Sequence, residues 1–176
     1  MPEARPDFAD VYRTHFAYVW RTLRRLGLRE AALDDAAQDV FLVVHQQLGA
    51  FEGRSTLKTW LFGIVLNTAR HHRRSLARRG PHDPLPEALA DPHPRGAADA
   101  VAKSQAARVL HAFLDGLDEA HREVFVLAEL EEMTAPEVAA ATGANVNTVS
   151  SRLRTARRDF EAVVARQRAL DAWRTP

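Results

Sequence analysis

The chain predicts an all-α protein: two small helical domains joined by a flexible, proline-rich linker. Three observations carry this prediction. Apolar residues recur at helical spacing on both sides of the middle of the chain. Nothing alternates apolar and polar residues over enough positions to argue for a strand. Five of the nine prolines, Pro81, Pro84, Pro86, Pro92 and Pro94, crowd into residues 81–94, and proline lacks the donor that helix and sheet ladders need. The chain therefore divides into an N-terminal domain over residues 1–76, a linker over 77–98 and a C-terminal domain over 99–176.

Composition sets the outer bounds. With 46% hydrophobic and 27% charged residues, the chain has the make-up of one that folds. Its apolar runs of a few residues fall far short of the roughly 20 that cross a bilayer, so no membrane insertion is expected. The first residues lack the basic-then-apolar layout of a secretion signal, and a cytoplasmic location is expected. Zero cysteines exclude disulfides, thiolate nucleophiles and cysteine zinc sites.

Phe8, Val11, Phe16, Val19, Leu23 and Leu26 give the first helix its period, and Gly27 offers a stop. A second helix follows over about residues 32–48. Its core stripe is Ala37, Val40, Phe41, Val44 and Leu48, which leaves Asp35, Gln38, Asp39 and Leu42 together on another face. A loop with Gly49 and Gly53 breaks the pattern, and Ser55 is the candidate cap of a third helix carrying Trp60, Leu61, Ile64, Val65 and Thr68. That helix is expected to end in the basic ridge Arg70, His71, His72, Arg73 and Arg74, where arginines at i, i+3 and i+4 share a face.

In the second domain, Val109, Leu110, Phe113 and Leu117 mark one helix. Gly116 and Asp118 mark the boundary, and Val124, Leu127 and Leu130 form the stripe of the next. Thr134-Ala135-Pro136-Glu137 has the form of a capping box, Gly143 suits a tight turn, and Asn145 or Asn147 can cap a long last helix with the stripe Val149, Leu153, Ala156, Phe160 and Val163. Helix, glycine turn and arginine-bearing helix is the helix-turn-helix plan.

The net charge of +1 hides a segregation. Residues 118–137 hold seven acids against one base, whereas residues 150–168 hold six arginines against two acids. The acidic stretch reads equally as a solubilising face or as charge kept away from phosphates. An arginine-bearing helix can be an ordinary solvated face. Its place after a capped helix and a turn favours one that enters a DNA groove, with Thr148, Ser151, Arg152, Arg154, Thr155 and Arg158 facing DNA and Arg157 near phosphates.

Asp35, Gln38 and Asp39 suggest either a solvated acidic face or a docking surface for a basic partner rather than a catalytic pair, because no histidine stands at ligand spacing beside them on the helix. His71 and His72 point in divergent directions and argue against a metal site. Phe51 and Trp60 are either core or a stacking platform beside a cationic groove. No phosphate-binding glycine loop, nucleophile elbow or zinc-protease signature is present, so catalytic residues, metals and cofactors are all expected to be absent.

Two runs together resemble a known family. Asp34-Asp35-Ala36-Ala37-Gln38-Asp39-Val40-Phe41-Leu42, then Phe51-Glu52-Gly53-Arg54-Ser55-Thr56-Leu57-Lys58-Thr59-Trp60-Leu61 and Asn67, resemble region 2 of bacterial sigma factors of the extracytoplasmic-function group. Pro136-Glu137-Val138-Ala139 and Thr148-Val149-Ser150-Ser151-Arg152-Leu153-Arg154-Thr155-Ala156-Arg157-Arg158 resemble their region 4. The resemblance implies a non-enzymatic subunit that binds core RNA polymerase and promoter DNA. It places Asp35, Gln38, Asp39 and Leu42 on the polymerase β′ clamp helices and implies the β flap as a further polymerase contact. It implies −10 contacts from Phe51, Arg54, Ser55, Thr56, Trp60, Asn67, Arg70, Arg73 and Arg74, −35 contacts from the last helix, and regulation by a separate anti-sigma factor. Ser150 and Gly63 depart from the basic or polar residues many relatives carry there. A stand-alone helix-turn-helix regulator and a protein-binding helical adaptor are the competing readings.

Overall fold

The computed structural model describes residues 6–79 and 97–174, and among them every regular element is helical. The chain separates into two compact units, Met1–His82 and Asp83–Pro176. Of the linker that the sequence assigns to 77–98, residues 77–79 and 97–98 are helical, because nothing in them breaks the flanking helices, and residues 80–96, which hold all five prolines, lie outside the described residues.

In the first unit, α1 spans Phe8–Arg25 and is capped by the Asp7 carboxylate, which accepts from the amide of Ala9 at 3.1 Å. It ends as the sequence predicts. Gly27 takes a φ of 90°, and the amides of Gly27 and Leu28 fold back onto the carbonyls of Arg24 and Leu23 at 3.0 and 3.2 Å. Val11, Val19, Leu23 and Leu26 are buried, but Phe16 is 37% exposed. Phe8, Tyr12 and Phe16 form an i, i+4, i+8 row along the rim of the buried face, with Tyr12 and Phe16 lying against Phe41 at centroid distances of 4.7 and 6.1 Å.

A short 3₁₀ turn, Glu30–Ala32, leads into α2, Leu33–Gln47, which a second 3₁₀ turn, Leu48–Ala50, closes. The predicted stripe of α2 is buried throughout, joined by Leu33 and Ala36. Helix α3 spans Leu57–Arg79 and differs from expectation in three ways. Its cap is Thr56 rather than Ser55: Thr56 Oγ1 accepts from the amide of Thr59 at 3.1 Å, the third-residue geometry that Ser55 stands one position too early to make. It runs five residues past Arg74, because Ser75, Leu76, Ala77, Arg78 and Arg79 contain no breaker. Its buried set includes Phe62, Leu66 and Ala69 besides Leu61, Ile64 and Val65, because α3 packs on both α1 and α2 and so hides a broader arc than a one-sided stripe.

In the second unit, α4 (Ala97–Gly116) is followed by α5 (Glu119–Phe125), α6 (Ala135–Thr142) and α7 (Val146–Arg174). Asp118 caps α5, accepting from the amide of His121 at 3.0 Å. Arg122 reaches back to the end of α4, donating to the carbonyls of Leu114 at 2.7 Å and Leu117 at 2.8 Å. Helix α5 runs on into a π-helical turn over Val126–Leu130, where the amide of Glu131 bonds the carbonyl of Val126 at 3.0 Å. Phe113, Phe125 and Phe160 meet at centroid distances of 5.0 to 5.4 Å and join α4, α5 and α7. Two of the acids read as surface charge, Glu123 and Glu131, are in fact buried.

The helix-turn-helix is built as predicted. Glu137 accepts from the amide and hydroxyl of Thr134 at 2.8 and 2.7 Å, completing the capping box of α6. Gly143 turns at a φ of 75°, and of the two candidate asparagines it is Asn145 that caps α7, accepting from the amide of Thr148 at 2.8 Å. Val149, Leu153 and Ala156 seat α7 on the unit, and the carboxylate of Asp171 accepts from Gln105 of α4 at 3.2 Å.

Candidate nucleic-acid and polymerase interfaces

Helix α2 presents Asp35, Gln38, Asp39 and Leu42 to solvent, and Leu42 is 53% exposed although leucine is usually buried. Helical spacing shows no histidine near these carboxylates, but the fold brings one in. His72 of α3 lies with Nε2 2.8 Å from Asp39 Oδ2. This histidine is mostly buried, and its partner is half exposed. Sequence reading cannot find such a contact, because it depends on how α2 and α3 pack.

The loop from Phe51 to α3 is mostly solvent-facing. Gly53 turns at a φ of 70°, and Arg54 pairs with Glu52 at 2.8 Å with both side chains mainly in water, an interaction worth little by itself. Ser55 and Thr56 are exposed, although the Thr56 hydroxyl already serves α3 and lies 2.8 Å from that of Thr59. Phe51 and Trp60 pack against each other at 5.2 Å with a tilt of 48°, pinning the loop's base to α3. Both residues are half-buried.

On α3, Trp60, Asn67, His71, Arg74 and Arg78 recur at i, i+7, i+11, i+14 and i+18 and share one face. Arg70 lies at its border and is half-buried. Arg73 lies well round the helix from it, and its Nη1 donates to the carbonyl of Leu26, the last residue of the α1 turn. The basic ridge is thus narrower than the i, i+3, i+4 spacing suggests.

Helix α7 presents Ser151, Arg154 and Arg158 fully, with Thr148, Arg152 and Thr155 half-exposed around them. Arg158 pairs with its neighbour Asp159 at 3.1 Å. Arg157 turns instead to Glu129 of the π-helical turn, with Nε and Nη2 at 2.8 and 2.6 Å from the same carboxylate oxygen. Among the described residues no group of histidine, cysteine and carboxylate side chains could hold a metal ion, and no helix is long and apolar enough to cross a membrane.

A helix-turn-helix unit and a helical unit with a carboxylate face beside an aromatic and basic one define a protein that reads DNA while attached to a larger machine. Residues 11–79 match Sigma-70 region 2 and residues 107–160 match Sigma-70 region 4, and the chain belongs to the sigma-70 family, in its extracytoplasmic-function group. It is an RNA polymerase sigma factor that recognises promoters and has no enzymatic role of its own. Core RNA polymerase and promoter DNA are its partners.

The RNA polymerase sigma factor CnrH of Cupriavidus metallidurans is 30% identical over 165 residues, covering 89% of this chain and 86% of that protein. NccH of Alcaligenes xylosoxydans xylosoxydans is 29% identical over 161 residues with the same coverage. The ECF sigma-E factor of Escherichia coli is 28% identical over 131 residues, 70% of this chain and 69% of its own. The solved structure of CnrH in complex with the cytosolic domain of CnrY superposes with a TM-score of 0.62 at 28% identity, covering 90% of this chain and 87% of that one. RpoE of Bartonella quintana, solved with the anti-sigma factor NepR, shares the fold at a TM-score of 0.70 and 21% identity over 90% of this chain and 97% of that chain.

Proposed function

We propose a division of the sigma factor's work among three surfaces. Asp35, Gln38, Asp39 and Leu42 on α2 dock on the β′ clamp helices, and the second unit meets the β flap. Phe51, Arg54, Ser55 and Thr56, with Trp60, Asn67, Arg70 and Arg74 of α3, hold a base turned out of the −10 element and the DNA beside it, while Arg73, turned to the Leu26 carbonyl, is left out of that set. Thr148, Ser151, Arg152, Arg154, Thr155 and Arg158 of α7 enter the −35 major groove, which is about 12 Å wide.

The observation that carries this reading is the exposed Leu42 among three polar side chains, an apolar anchor within a charged rim, which is the make-up of a protein-docking patch. The energetics favour the same division. Extruding a base costs a few kcal/mol and an aromatic stack returns about 1–3, so a small loop opens little DNA until docking fixes it in place. The protein works in the cytoplasm, where polymerase and promoter are, and a separate anti-sigma protein covers its surfaces, as CnrY accompanies CnrH in the related structure.

Size-exclusion assembly with core polymerase tests the docking surface. Asp39→Arg is expected to abolish holoenzyme formation while leaving the helical circular dichroism of the free chain intact. Undiminished assembly would remove α2 as the docking helix.

A further inference from the structure

The arginines along the first turns of α7 are not equivalent. Arg154 is exposed on the outer face, and among the described residues it has no carboxylate partner. Arg157, three residues on, is gripped by Glu129, which lies 28 positions earlier in the chain. Its Nε and Nη2 both close on the single oxygen Oε1, at 2.8 and 2.6 Å. The same guanidinium donors that close on this carboxylate are the ones an arginine offers to a phosphate.

The carboxylate is well placed to compete with a phosphate. Glu129 belongs to the π-helical turn Val126–Leu130, whose neighbours Val126 and Leu127 are buried, so its backbone is fixed by the core. The Glu129 side chain is 31% exposed, so water and salt reach the pair, and what sets it apart from an ordinary surface ion pair is the fixed backbone beneath Glu129 and the two donors converging on one oxygen. Arg157 is itself 56% exposed and lies on the flank of α7 next to the outward-facing Arg154 and Arg158, within the reach of a DNA backbone laid along that helix.

We infer that Glu129 stands in for a phosphate and withholds Arg157 from DNA, making it a specificity-determining residue of the −35 reader. Phosphate contacts add affinity on any sequence, whereas base-edge contacts add it on one. Neutralising one flanking arginine lowers the sequence-independent part and leaves the promoter-dependent part to the outer-face residues. This inference rests on the assignment of α7 as the DNA-reading helix.

The test is the salt dependence of the full chain's affinity for random-sequence duplex DNA, read by fluorescence anisotropy as log K against log NaCl. Each phosphate neutralised contributes a slope of about −0.9. Glu129→Gln is expected to steepen the slope by about 0.9 and tighten binding to random DNA. Arg157→Ala alone is expected to leave the wild-type slope, and the double variant to return to it. A slope that falls by about one unit in Arg157→Ala would show that Arg157 already contacts DNA, and would overturn the inference. So would a double variant that keeps the steeper slope, since the gain would then come from lost repulsion alone. Arg154→Ala separates the two levels. If it leaves the slope unchanged, α7 is not the DNA face and the underlying assignment fails. If it flattens the slope while Glu129→Gln does nothing, only the role of Glu129 fails.

Discussion

Arg73 and Arg74 are adjacent on α3, yet the fold gives them different tasks, and replacing each with alanine should show it. Arg73 donates to the carbonyl of Leu26, which closes α1. A hydrogen bond from a charged donor contributes about 1.5–3 kcal/mol, and a cation at a helix C-terminus adds about 0.3–1 through the helix dipole. Taking about 2 kcal/mol for the net loss, a domain of this size should melt about 8–16 °C lower, at about 4–8 °C for each kcal/mol. Arg74 is exposed, so its removal should cost no more than about 0.5 kcal/mol. Tryptophan fluorescence can isolate the first unit. Trp20 and Trp60 lie there, and Trp173, the remaining one, is 89% exposed and can be changed to phenylalanine at little cost. In that background Arg73→Ala should shift the melt and Arg74→Ala should not. Equal melts for the two variants would refute the structural role of Arg73.

Three further outcomes are expected. Asp118→Ala should destabilise the second unit by about 1 kcal/mol at neutral pH. The amide of His121, bonded to its carboxylate, holds Asp118 below the usual aspartate range, so its contribution is present above the unfolded pKa and is lost as pH falls through the folded one. The urea midpoints of wild type and variant should therefore converge below about pH 4, and a constant gap would disprove the linkage. Gly143→Ala should cost about 1 kcal/mol, because alanine resists a φ of 75°, and Gly143→Asn should cost less; chemical denaturation checks the order. Arg152→Ala should weaken holoenzyme binding to its promoter by about 1–3 kcal/mol in a gel-shift assay, and an equal loss on random DNA would reduce it to a phosphate contact.

Local signals in the sequence proved informative wherever structure is decided within a few residues. Gly27, Thr134 with Glu137, and Gly143 mark their own turns and caps, because a left-handed φ or a reach-back carboxylate has a short-range cause. The exposed face of α2 followed from period alone. Ser55 and Thr56 are chemically alike, and only the register of the first turn chooses between them. Phe62 and Leu66 were missed because a helix packed on two neighbours has no single stripe to recognise. The contacts of Asp39 with His72, Leu26 with Arg73 and Glu129 with Arg157 join residues 28 to 47 positions apart. The sequence reads Asp39, Arg73, Glu129 and Arg157 as charges facing solvent or a partner molecule, and only tertiary packing reveals what each meets within the chain.

The burial of α3 constrains how such a protein changes its target sequence. Leu61, Phe62, Ile64, Val65, Leu66 and Ala69 tie that helix to the rest of its unit, so substitution along most of its circumference endangers folding before it alters recognition. The connecting segment from Glu52 to Thr56 is exposed at every position and contributes nothing to the apolar interior. Within it Gly53 is held by its φ of 70° and Thr56 by its cap on α3, so if the segment reads bases as proposed, new preferences arise most readily by exchanges at Glu52, Arg54 and Ser55, which engineered libraries should vary first.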